Sequence, residues 1–374
     1  MTEKERYIAV NLFKKADKIP FRPGNGREST LARWQREGLP IGAEPIQKAY
    51  EISGGKEILP SSKRLPAKFT MIPEFEKKII ERRSDSQIVQ DWKGNICEIG
   101  NEYTVDHLGG DNARGDFVTR RWIKCPVESH QEWDAMKKRY NADDPARFKG
   151  AETLKKDTFA TAPVILSLYG PFWQLREWTG FENLCVLFYD DPGLLEDMLN
   201  FWKDYILKIM KKAFSYAIPD EVHISEDMAY KHASMISPEM CRKYLLPVWA
   251  EWGDCLKNAG VPIYACDSDG YIDDLIPLWI EAGINACDPV EVAANNDIVE
   301  LRKKYGKKMA FRGGVDKREM AKGGRNIENE IKRIRPVIQD GGYIPGCDHG
   351  VPHDISWGNF VYYIKLIAKE TGWL

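Results

Sequence analysis

The second half of the chain alternates strand-like and helix-like segments with short connections between them. Residues 162–170, APVILSLYG, have the pattern of a buried strand, and residues 191–217 follow as a long amphipathic helix. The alternation continues from EVHISED at 221–227 to YIPGCDHG at 343–350, and a last helical segment follows. Strands that alternate with helices of about 10–15 residues are typical of βαβ units and a parallel sheet. This rhythm predicts an α/β fold.

Polar side chains follow each of the last five predicted strands. If the sheet closes as a (β/α)8 TIM barrel, these strand ends gather at one face, where the active sites of that architecture lie. A doubly wound open sheet is the alternative, and it also places a site at the carboxyl ends of its strands. The polar residues are Glu226 and Asp227, Asp267 and Asp269, Asp288 and Glu291, Arg312 and Asp316, and Cys347 and His349.

The first part of the chain is less regular. Residues 18–25, KIPFRPGN, could form the first barrel strand. Residues of about 41–125 resemble an excursion from the barrel, in which a Lys-Gly-Asn turn at 93–95 indicates an antiparallel hairpin and residues 116–127 could pair with it. We expect this β-hairpin and helical excursion to lie near the barrel mouth, within a single domain that spans residues 1–374.

Composition excludes several classes of protein. The chain has 374 residues, of which 43% are hydrophobic, and a formal net charge of −2, which argues against a nucleic-acid binder. It has no run of 18 apolar residues, and its first residues lack the core of a signal peptide. Eight cysteines are scattered without a CxxC pair, as is typical of reduced thiols. We expect a cytoplasmic protein without membrane or nucleic-acid partners.

Seven motifs, in this order along the chain, resemble the uroporphyrinogen decarboxylase superfamily. They are GNGRESTLARWQREGLP, LYGPF, YDDPGLLEDML, HISEDMAYKHASMISPEM, DSDGYIDDLIPLWIEAGIN, FRGGVDKREMAKG and PGCDHGVPHDIS. The resemblance covers nearly the whole chain and is weakest across about 41–125. It implies a (β/α)8 barrel that is commonly dimeric.

The motifs also distinguish the branches of that superfamily. Its decarboxylases carry Arg-Gln-Ala-Gly-Arg-Tyr near the N-terminus, where this chain has FRPGNGREST. Its methyltransferases hold zinc with a His-x-Cys-Gly motif and with the Cys of Pro-Gly-Cys. Here DSDG at 267–270 falls at the first motif, and PGC at 345–347 keeps the second. The DSDG motif and GGVDK at 313–317 resemble the versions in the methyltransferases of anaerobic O-demethylase systems, which pass a methyl group from a methoxylated aromatic compound to cob(I)alamin on a corrinoid protein.

The resemblance implies two ways of activating the ether oxygen of such a substrate. A bound Zn²⁺ could polarise it, and Cys347 with Asp267 or Asp269 could supply ligands, completed by Glu226 or His349. A protonated carboxyl group or an imidazolium could instead donate a proton. Each residue also has a structural alternative, such as helix capping for the two aspartates. The candidate catalytic groups are Glu226, Asp227, Asp269 and His349, and the candidate metal ligands are Asp267, Asp269 and Cys347.

Other residues are candidates for contact with the substrate. Tyr169, Phe172 and Trp173 follow a predicted strand and could stack on an aromatic ring, although core packing is the more frequent use of such residues. Arg312 could clamp a substrate carboxylate in a fork, or it could form a salt bridge with a barrel acid. Arg27 lies in GNGREST, a region that borders the pocket in the family.

The leading functional hypothesis is therefore a methyltransferase for O-demethylation. It would move a methyl group from a methoxylated aromatic, or a similar small donor, to the cob(I)alamin of a partner corrinoid protein. The expected cofactors are zinc and the corrinoid carried by that partner. The expected assembly is a homodimer. One alternative is methyl transfer from a methylated corrinoid protein to tetrahydrofolate or a thiol. Another is a cofactor-free decarboxylase of uroporphyrinogen-like or aromatic acids.

Overall fold

A computed structural model describes residues 1–59, 62–108, 118–151 and 160–374. The chain divides into two compact units. The first comprises Met1–Leu65, Thr153–Leu168 and Ala217–Leu374, and the second comprises Pro66–Glu152 and Tyr169–Tyr216.

The strands of the described residues belong to two sheets, one parallel and one antiparallel. In chain order they are β1 (Lys63–Arg64), β2 (Lys78–Arg82), β3 (Ser86–Gln90), β4 (Ile96–Gly100), β5 (Arg120–Lys124), β6 (Val164–Tyr169), β7 (Glu221–Ser225), β8 (Ile263–Asp267), β9 (Ala286–Val290), β10 (Ala310–Val315) and β11 (Tyr343–Cys347).

The α-helices flank these strands, and a π-helical turn at Cys241–Leu245 joins two of them just before Pro247, which has no N–H for a regular helical bond. In chain order they are α1 (Glu3–Asn11), α2 (Glu28–Arg36), α3 (Pro45–Ile52), α4 (His130–Lys137), α5 (Pro171–Thr179), α6 (Phe181–Asp190), α7 (Pro192–Phe214), α8 (Pro238–Met240), α9 (Leu246–Ala259), α10 (Ile276–Glu281), α11 (Ile298–Tyr305), α12 (Lys317–Lys322), α13 (Arg325–Asp340) and α14 (Trp357–Glu370).

The first unit contains a seven-stranded sheet in the order β1-β6-β7-β8-β9-β10-β11. Its strands from β7 onward are parallel neighbours in chain order, with helices between them. The α/β fold that the alternation predicted is confirmed. The strand predicted at 18–25 is not formed, because Pro20 and Pro23 have no N–H to donate to a ladder. This segment still runs beside β11, where the Cys347 N–H donates to the Pro23 carbonyl at 3.0 Å.

One face of this sheet packs against α1, and we call it the inner face. Tyr7 and Val10 of α1 form a buried cluster with sheet residues that include Ala265 of β8, Ala286 of β9 and Ile344 of β11. Side chains alternate between the two faces of a strand. Asp267 and Asp288, each two residues beyond one of these alanines, therefore also lie on the inner face. The alternation thus carries acids onto the face that α1 partly covers.

The second unit contains the antiparallel sheet, in the order β2-β3-β4-β5. The turn that joins β3 to β4 is the Lys-Gly-Asn sequence, with Gly94 at a φ of 92° and the Asp91 carboxylate accepting from the N–H groups of Lys93 and Asn95. β5 pairs with β4, and residues 116 and 117 of the segment expected to pair there lie outside the described residues. A location of this excursion near the barrel mouth stays a prediction, as does the single domain.

Among the described residues, no helix is both long enough and apolar enough to cross a membrane.

Candidate active site

Three ionisable side chains lie together on the inner face, and we call them the inner cluster: His223, Asp267 and Asp288. His223 on β7 reaches across β8 to β9, where its Nε2 lies 3.1 Å from Asp288 Oδ1. The residue of β8 that pairs with His223 is Ala265, whose small side chain leaves room for the imidazole. Asp267 ends β8 and pairs directly with Asp288. The sheet register therefore holds two acids and one imidazole side by side.

The environment separates the ionisation states of these three groups. Burial raises the pKa of Asp267, the His223 charge opposes this rise, and the nearby charges of Asp288 and Asp269 add to it, so that the pKa is about 8. Burial also acts to raise the pKa of Asp288, but the charge and hydrogen bond of His223 outweigh it and lower that pKa to about 2. Burial lowers the pKa of His223, yet Asp288 raises it to about 9. At neutral pH these shifts favour a protonated carboxyl group on Asp267, a carboxylate on Asp288 and an imidazolium on His223.

Arg312 lies beside the inner cluster but is already paired. Its guanidinium donates to Glu221 at 2.9 and 2.6 Å and to Asn11 at 3.3 and 3.0 Å. Its Nη1 also lies 3.8 Å from Asp288 Oδ1, and the Tyr7 hydroxyl donates to Glu221. The expectation that Arg312 clamps a substrate carboxylate is corrected, because its fork already binds Glu221. The salt bridge with a barrel acid is what the structure contains.

A second group lies at the loops that follow the strands, and we call it the loop cluster: Arg27, Asp269 and His349. His349 Nε2 is 3.0 Å from Asp269 Oδ2, and its Nδ1 is 3.2 Å from Arg27 Nη2. Because a guanidinium only donates and a carboxylate accepts, the neutral ring carries its proton on Nε2. The hydrogen bond to Asp269 raises the pKa of His349, while burial and the Arg27 charge oppose the rise. His349 thus connects Asp269 and Arg27, which are distant from it in sequence, through two polar contacts.

The two acids after β7 differ in their surroundings. Glu226 is fully buried and accepts a hydrogen bond from the Trp249 indole of α9. Its expected catalytic role is corrected, because the carboxylate is enclosed against a helix rather than directed to the inner face. Asp227 has a φ of 41°, its N–H lies 3.2 Å from the Asp267 carbonyl, and its charge raises the pKa of Asp267. Asp227 therefore adjoins the inner cluster.

The expected zinc ligands are not brought together. Cys347 lies three residues beyond Ile344 of the inner face, so its side chain is on the opposite face. A Cβ added at Gly24 would lie 2.9 Å from the Cys347 Cβ, which shows how tightly this thiol is enclosed. Burial raises the pKa of Cys347 to about 12. In the part of the chain that the structure describes, no three His, Cys, Asp or Glu side chains are arranged to hold a metal ion. The set Asp267, Asp269 and Cys347 does not fit zinc.

The aromatic residues predicted to contact a substrate belong to the second unit. Phe172 is fully buried, as in the core-packing alternative. The Tyr169 and Trp173 rings lie 5.4 Å apart at 33°, and Phe69 packs edge-on against Tyr169 at 4.8 Å. Substrate contact by Tyr169 and Trp173 stays a prediction.

Sequence reasoning did not select His223 or Asp288 as site residues. A usable signal existed for His223, because polar residues alternate with apolar ones in Glu221-Val222-His223-Ile224-Ser225. A strand with a polar face toward a sheet interior is unusual unless that face carries chemistry. His223 lies in the middle of β7, and the candidate residues were taken from the ends of strands.

Groups with perturbed pKa values near the carboxyl ends of parallel strands are typical of active sites. Residues 121–369, more than half of the chain, match the protein-family model described as Uroporphyrinogen decarboxylase (URO-D). The chain belongs to the uroporphyrinogen decarboxylase family, and it is an enzyme.

Two known proteins extend this comparison. A uroporphyrinogen decarboxylase from Campylobacter lari is 19% identical over 260 residues, which are 66% of this chain and 72% of that protein. A methyltransferase from Methanosarcina mazei has a similar structure, with a TM-score of 0.61 at 13% identity over 99% of this chain and 98% of that one. At such identity the structural likeness shows a common fold.

Proposed function

We propose that this enzyme is a methyltransferase that moves a methyl group from a methoxylated aromatic, or a similar small methyl donor, to the cob(I)alamin of a corrinoid protein. The observation that carries the proposal is the geometry of the inner cluster, in which Asp267 pairs with Asp288 beside His223 and burial raises the pKa of Asp267. Support also comes from the DSDG and PGC motifs and from the similar fold of the Methanosarcina mazei methyltransferase. A cytoplasmic homodimer with a corrinoid-protein partner belongs to the same proposal.

The chemistry requires a proton at the oxygen that leaves. A phenolate is a poor leaving group, so cleavage of an aryl methyl ether is assisted by an acid that protonates the oxygen as the bond breaks. Asp267 has a pKa of about 8, so it holds its proton at neutral pH and can release it when a stronger base forms nearby. His223, with a pKa of about 9, is then positively charged and stabilises the Asp267 carboxylate that results.

The atoms and electrons of the transfer balance without a further reactant. The corrinoid of the partner protein supplies the electron pair that takes the methyl group. The electron pair of the broken carbon–oxygen bond stays on the oxygen, and the proton from Asp267 converts it to a phenol. Asp267 regains a proton from solvent before the next turnover. Since the residues present do not fit zinc, no step of this route uses a metal.

The experiment is methyl transfer from a panel of methoxybenzoates to reduced cobalamin or a reduced corrinoid protein. Methylcobalamin absorbance and the demethylated phenol should appear together in equal amounts. Asp267→Asn should slow the formation of both by about 10² to 10⁴, whereas Glu226→Gln, which changes a carboxylate enclosed against α9, should leave the rate unchanged. Absence of methylation from every donor with every corrinoid acceptor would refute the proposal.

A decarboxylase is the second candidate, favoured by the family match and by the Campylobacter lari relative. Loss of carbon dioxide leaves a carbanion, and the same protonated Asp267 could supply the proton that replaces the carboxyl group. Release of carbon dioxide from uroporphyrinogen or hydroxybenzoates without any corrinoid would identify this activity. Methyl transfer would identify the first.

A further inference from the structure

Lys317 is a cation within the loops near the loop cluster, and sequence reasoning did not consider it. It begins α12, which is separated from the end of β10 by Asp316 alone. Its Nζ lies 3.2 Å from Glu291 Oε1 and 3.7 Å from Asp348 Oδ1. Burial acts to lower its pKa, but the two carboxylates outweigh burial and raise that pKa. Lys317 is therefore charged and bridges two acids.

Each of those acids also holds the backbone of a neighbouring loop. Glu291 Oε2 accepts from the Gly270 N–H at 3.2 Å, and Asp348 Oδ2 accepts from the Val292 N–H at 3.1 Å. The ammonium group of Lys317 thus links the loops after β8, β9, β10 and β11, and the Lys317 backbone N–H adds a second contact to Asp348 Oδ1 at 3.4 Å. Asp348 is fully buried, so its oxygens have little access to competing water.

Two of these contacts lie next to residues of the loop cluster in the chain. Gly270 follows Asp269 in the chain, and Asp348 precedes His349. Asp269 and His349 extend from β8 and β11, which are separated by two strands in the sheet. No ladder connects those two strands directly, so their hydrogen bond depends on how the loops are held.

The backbone at Gly270 leaves little freedom for the loop to settle elsewhere. Gly270 has a φ of 85°, and a Cβ there would lie 2.3 Å from the Ala229 carbonyl oxygen. Asn296 also binds this residue, donating to the Gly270 carbonyl at 2.8 Å. The loop after β8 is therefore set by specific polar contacts, of which the Glu291 contact is the one that leads to Lys317.

We propose that Lys317 is a positioning residue that holds Asp269 and His349 in hydrogen-bonding contact through Glu291 and Asp348. It acts through the two carboxylates and does not itself contact the reacting atoms. Its role in turnover rests on the proposed methyl transfer, but its effect on the Asp269–His349 contact does not.

The direct test is the tautomer of His349, read from imidazole ¹⁵N shifts of histidine-labelled protein at alkaline pH, where the ring is neutral. The chain has six histidines, and a His349→Gln sample identifies the signal. The unchanged protein should show the Nε2–H form. Lys317→Met should show a mixture of both forms, and Lys317→Arg, which keeps the charge, should restore the single form. An unchanged signal in Lys317→Met would overturn the proposal.

Turnover and amide exchange provide the second arm. In Lys317→Met, kcat should fall by up to about tenfold, as for a displaced contact and no more than in His349→Gln, with KM within about twofold. The Gly270 and Val292 amides should exchange faster. Lys322→Met is the matched control, since it removes a lysine from the same helix that pairs with Glu319 at the surface. An equal loss of kcat in that control, or no rescue by Lys317→Arg, would also overturn the proposal.

The two proposals fail in different ways. If the unchanged enzyme transfers no methyl group, the proposed function is wrong, and the His349 tautomer still decides the role of Lys317. If methyl transfer occurs and Lys317→Met changes neither the tautomer nor kcat, the function stands and the positioning role is wrong.

Discussion

The inner cluster and the loop cluster each pair a histidine with an aspartate, but they are held differently. His223 and Asp288 lie within strands, so the register of the sheet fixes their separation. Asp269 and His349 lie beyond strand ends and are connected through loops and the bridge at Lys317. The inner cluster shows large opposed pKa shifts, although the exposure of its His223 and Asp288 side chains, 16% and 28%, is close to that of His349, at 24%. This contrast suggests proton chemistry in the first and substrate orientation in the second.

The largest expected effect tests which cluster supplies the proton. Asp267→Asn removes the acid, and kcat should fall by about 10² to 10⁴, the usual contribution of a general acid. His349→Gln keeps a donor toward Asp269, and its loss should be about tenfold. Steady-state kinetics on the same methyl donor measure both. A larger loss in His349→Gln than in Asp267→Asn would reverse the assignment of the two clusters.

Removal of an arginine beside the inner cluster should cost more stability than removal of the arginine in the loop cluster. Arg312→Met leaves Glu221 charged and fully buried, so the free energy of unfolding should fall by about 3–5 kcal/mol. Arg27→Met in the loop cluster removes a partly exposed cation and should cost about 1 kcal/mol or less. Urea unfolding followed by circular dichroism measures both.

The Arg312 result has an internal control. Glu221→Gln combined with Arg312→Met removes both buried charges and should recover part of the lost stability, since the unpaired carboxylate causes most of the cost. Equal destabilisation by the single and double variants would show that packing rather than charge is responsible.

The pH dependence of turnover should come from the inner cluster. The pKa of Asp267 is raised to about 8, so the proton-donating form is complete well below pH 8 and is lost as pH rises through it. At saturating donor and corrinoid, kcat should therefore decline above about pH 8. The decline should persist in His349→Gln, whose change is confined to the loop cluster, and disappear from the residual activity of Asp267→Asn. An alkaline limb that moves with His349→Gln would assign it to the loop cluster.

Stability should decline over the same range for a related reason. The folded pKa of His223 is raised to about 9, so the stabilisation from its charge is complete below its unfolded value of about 6.5 and is lost as pH rises through 9. Asp267 acts in the same direction, because its ionisation is less favourable in the folded state. Each proton contributes a slope of at most about 1.4 kcal/mol per pH unit. In His223→Gln, the free energy of unfolding, measured by urea unfolding at each pH, should change less between about pH 6.5 and 9 than in the unchanged protein.

Much of the first unit could be predicted from the sequence, because strand–helix alternation is a local signal. The strands from β7 to β11 follow the segments that the alternation indicated. The segment at 18–25 was the exception, since its apolar residues suggested a strand while Pro20 and Pro23 prevented a ladder. Because the segment at 18–25 forms no strand, the parallel sheet has seven strands among the described residues.

The candidate site could be predicted only in part. Asp267, Asp269 and His349 stand at strand ends, and the structure brings Asp269 and His349 into contact. The direction of a side chain depends on strand register, which is not readable from one segment, and Cys347 faces away for that reason. His223 and Asp288 are 65 residues apart in sequence, and only the sheet places them together.

The smallest expected effect concerns Cys347, the residue that carried the zinc expectation. Its thiol is enclosed, its pKa is raised to about 12, and it lies on the face opposite Asp267, so Cys347→Ala should not change the metal content of the purified protein. The kcat should change by less than about twofold, because neither cluster contacts its sulfur. Elemental analysis measures the zinc content of the unchanged enzyme, Cys347→Ala and Asp269→Asn side by side. Zinc that is present in the unchanged enzyme and lost only in Cys347→Ala would restore Cys347 as a ligand, and it would require the segment after β11 to rearrange so that the thiol reaches the inner face.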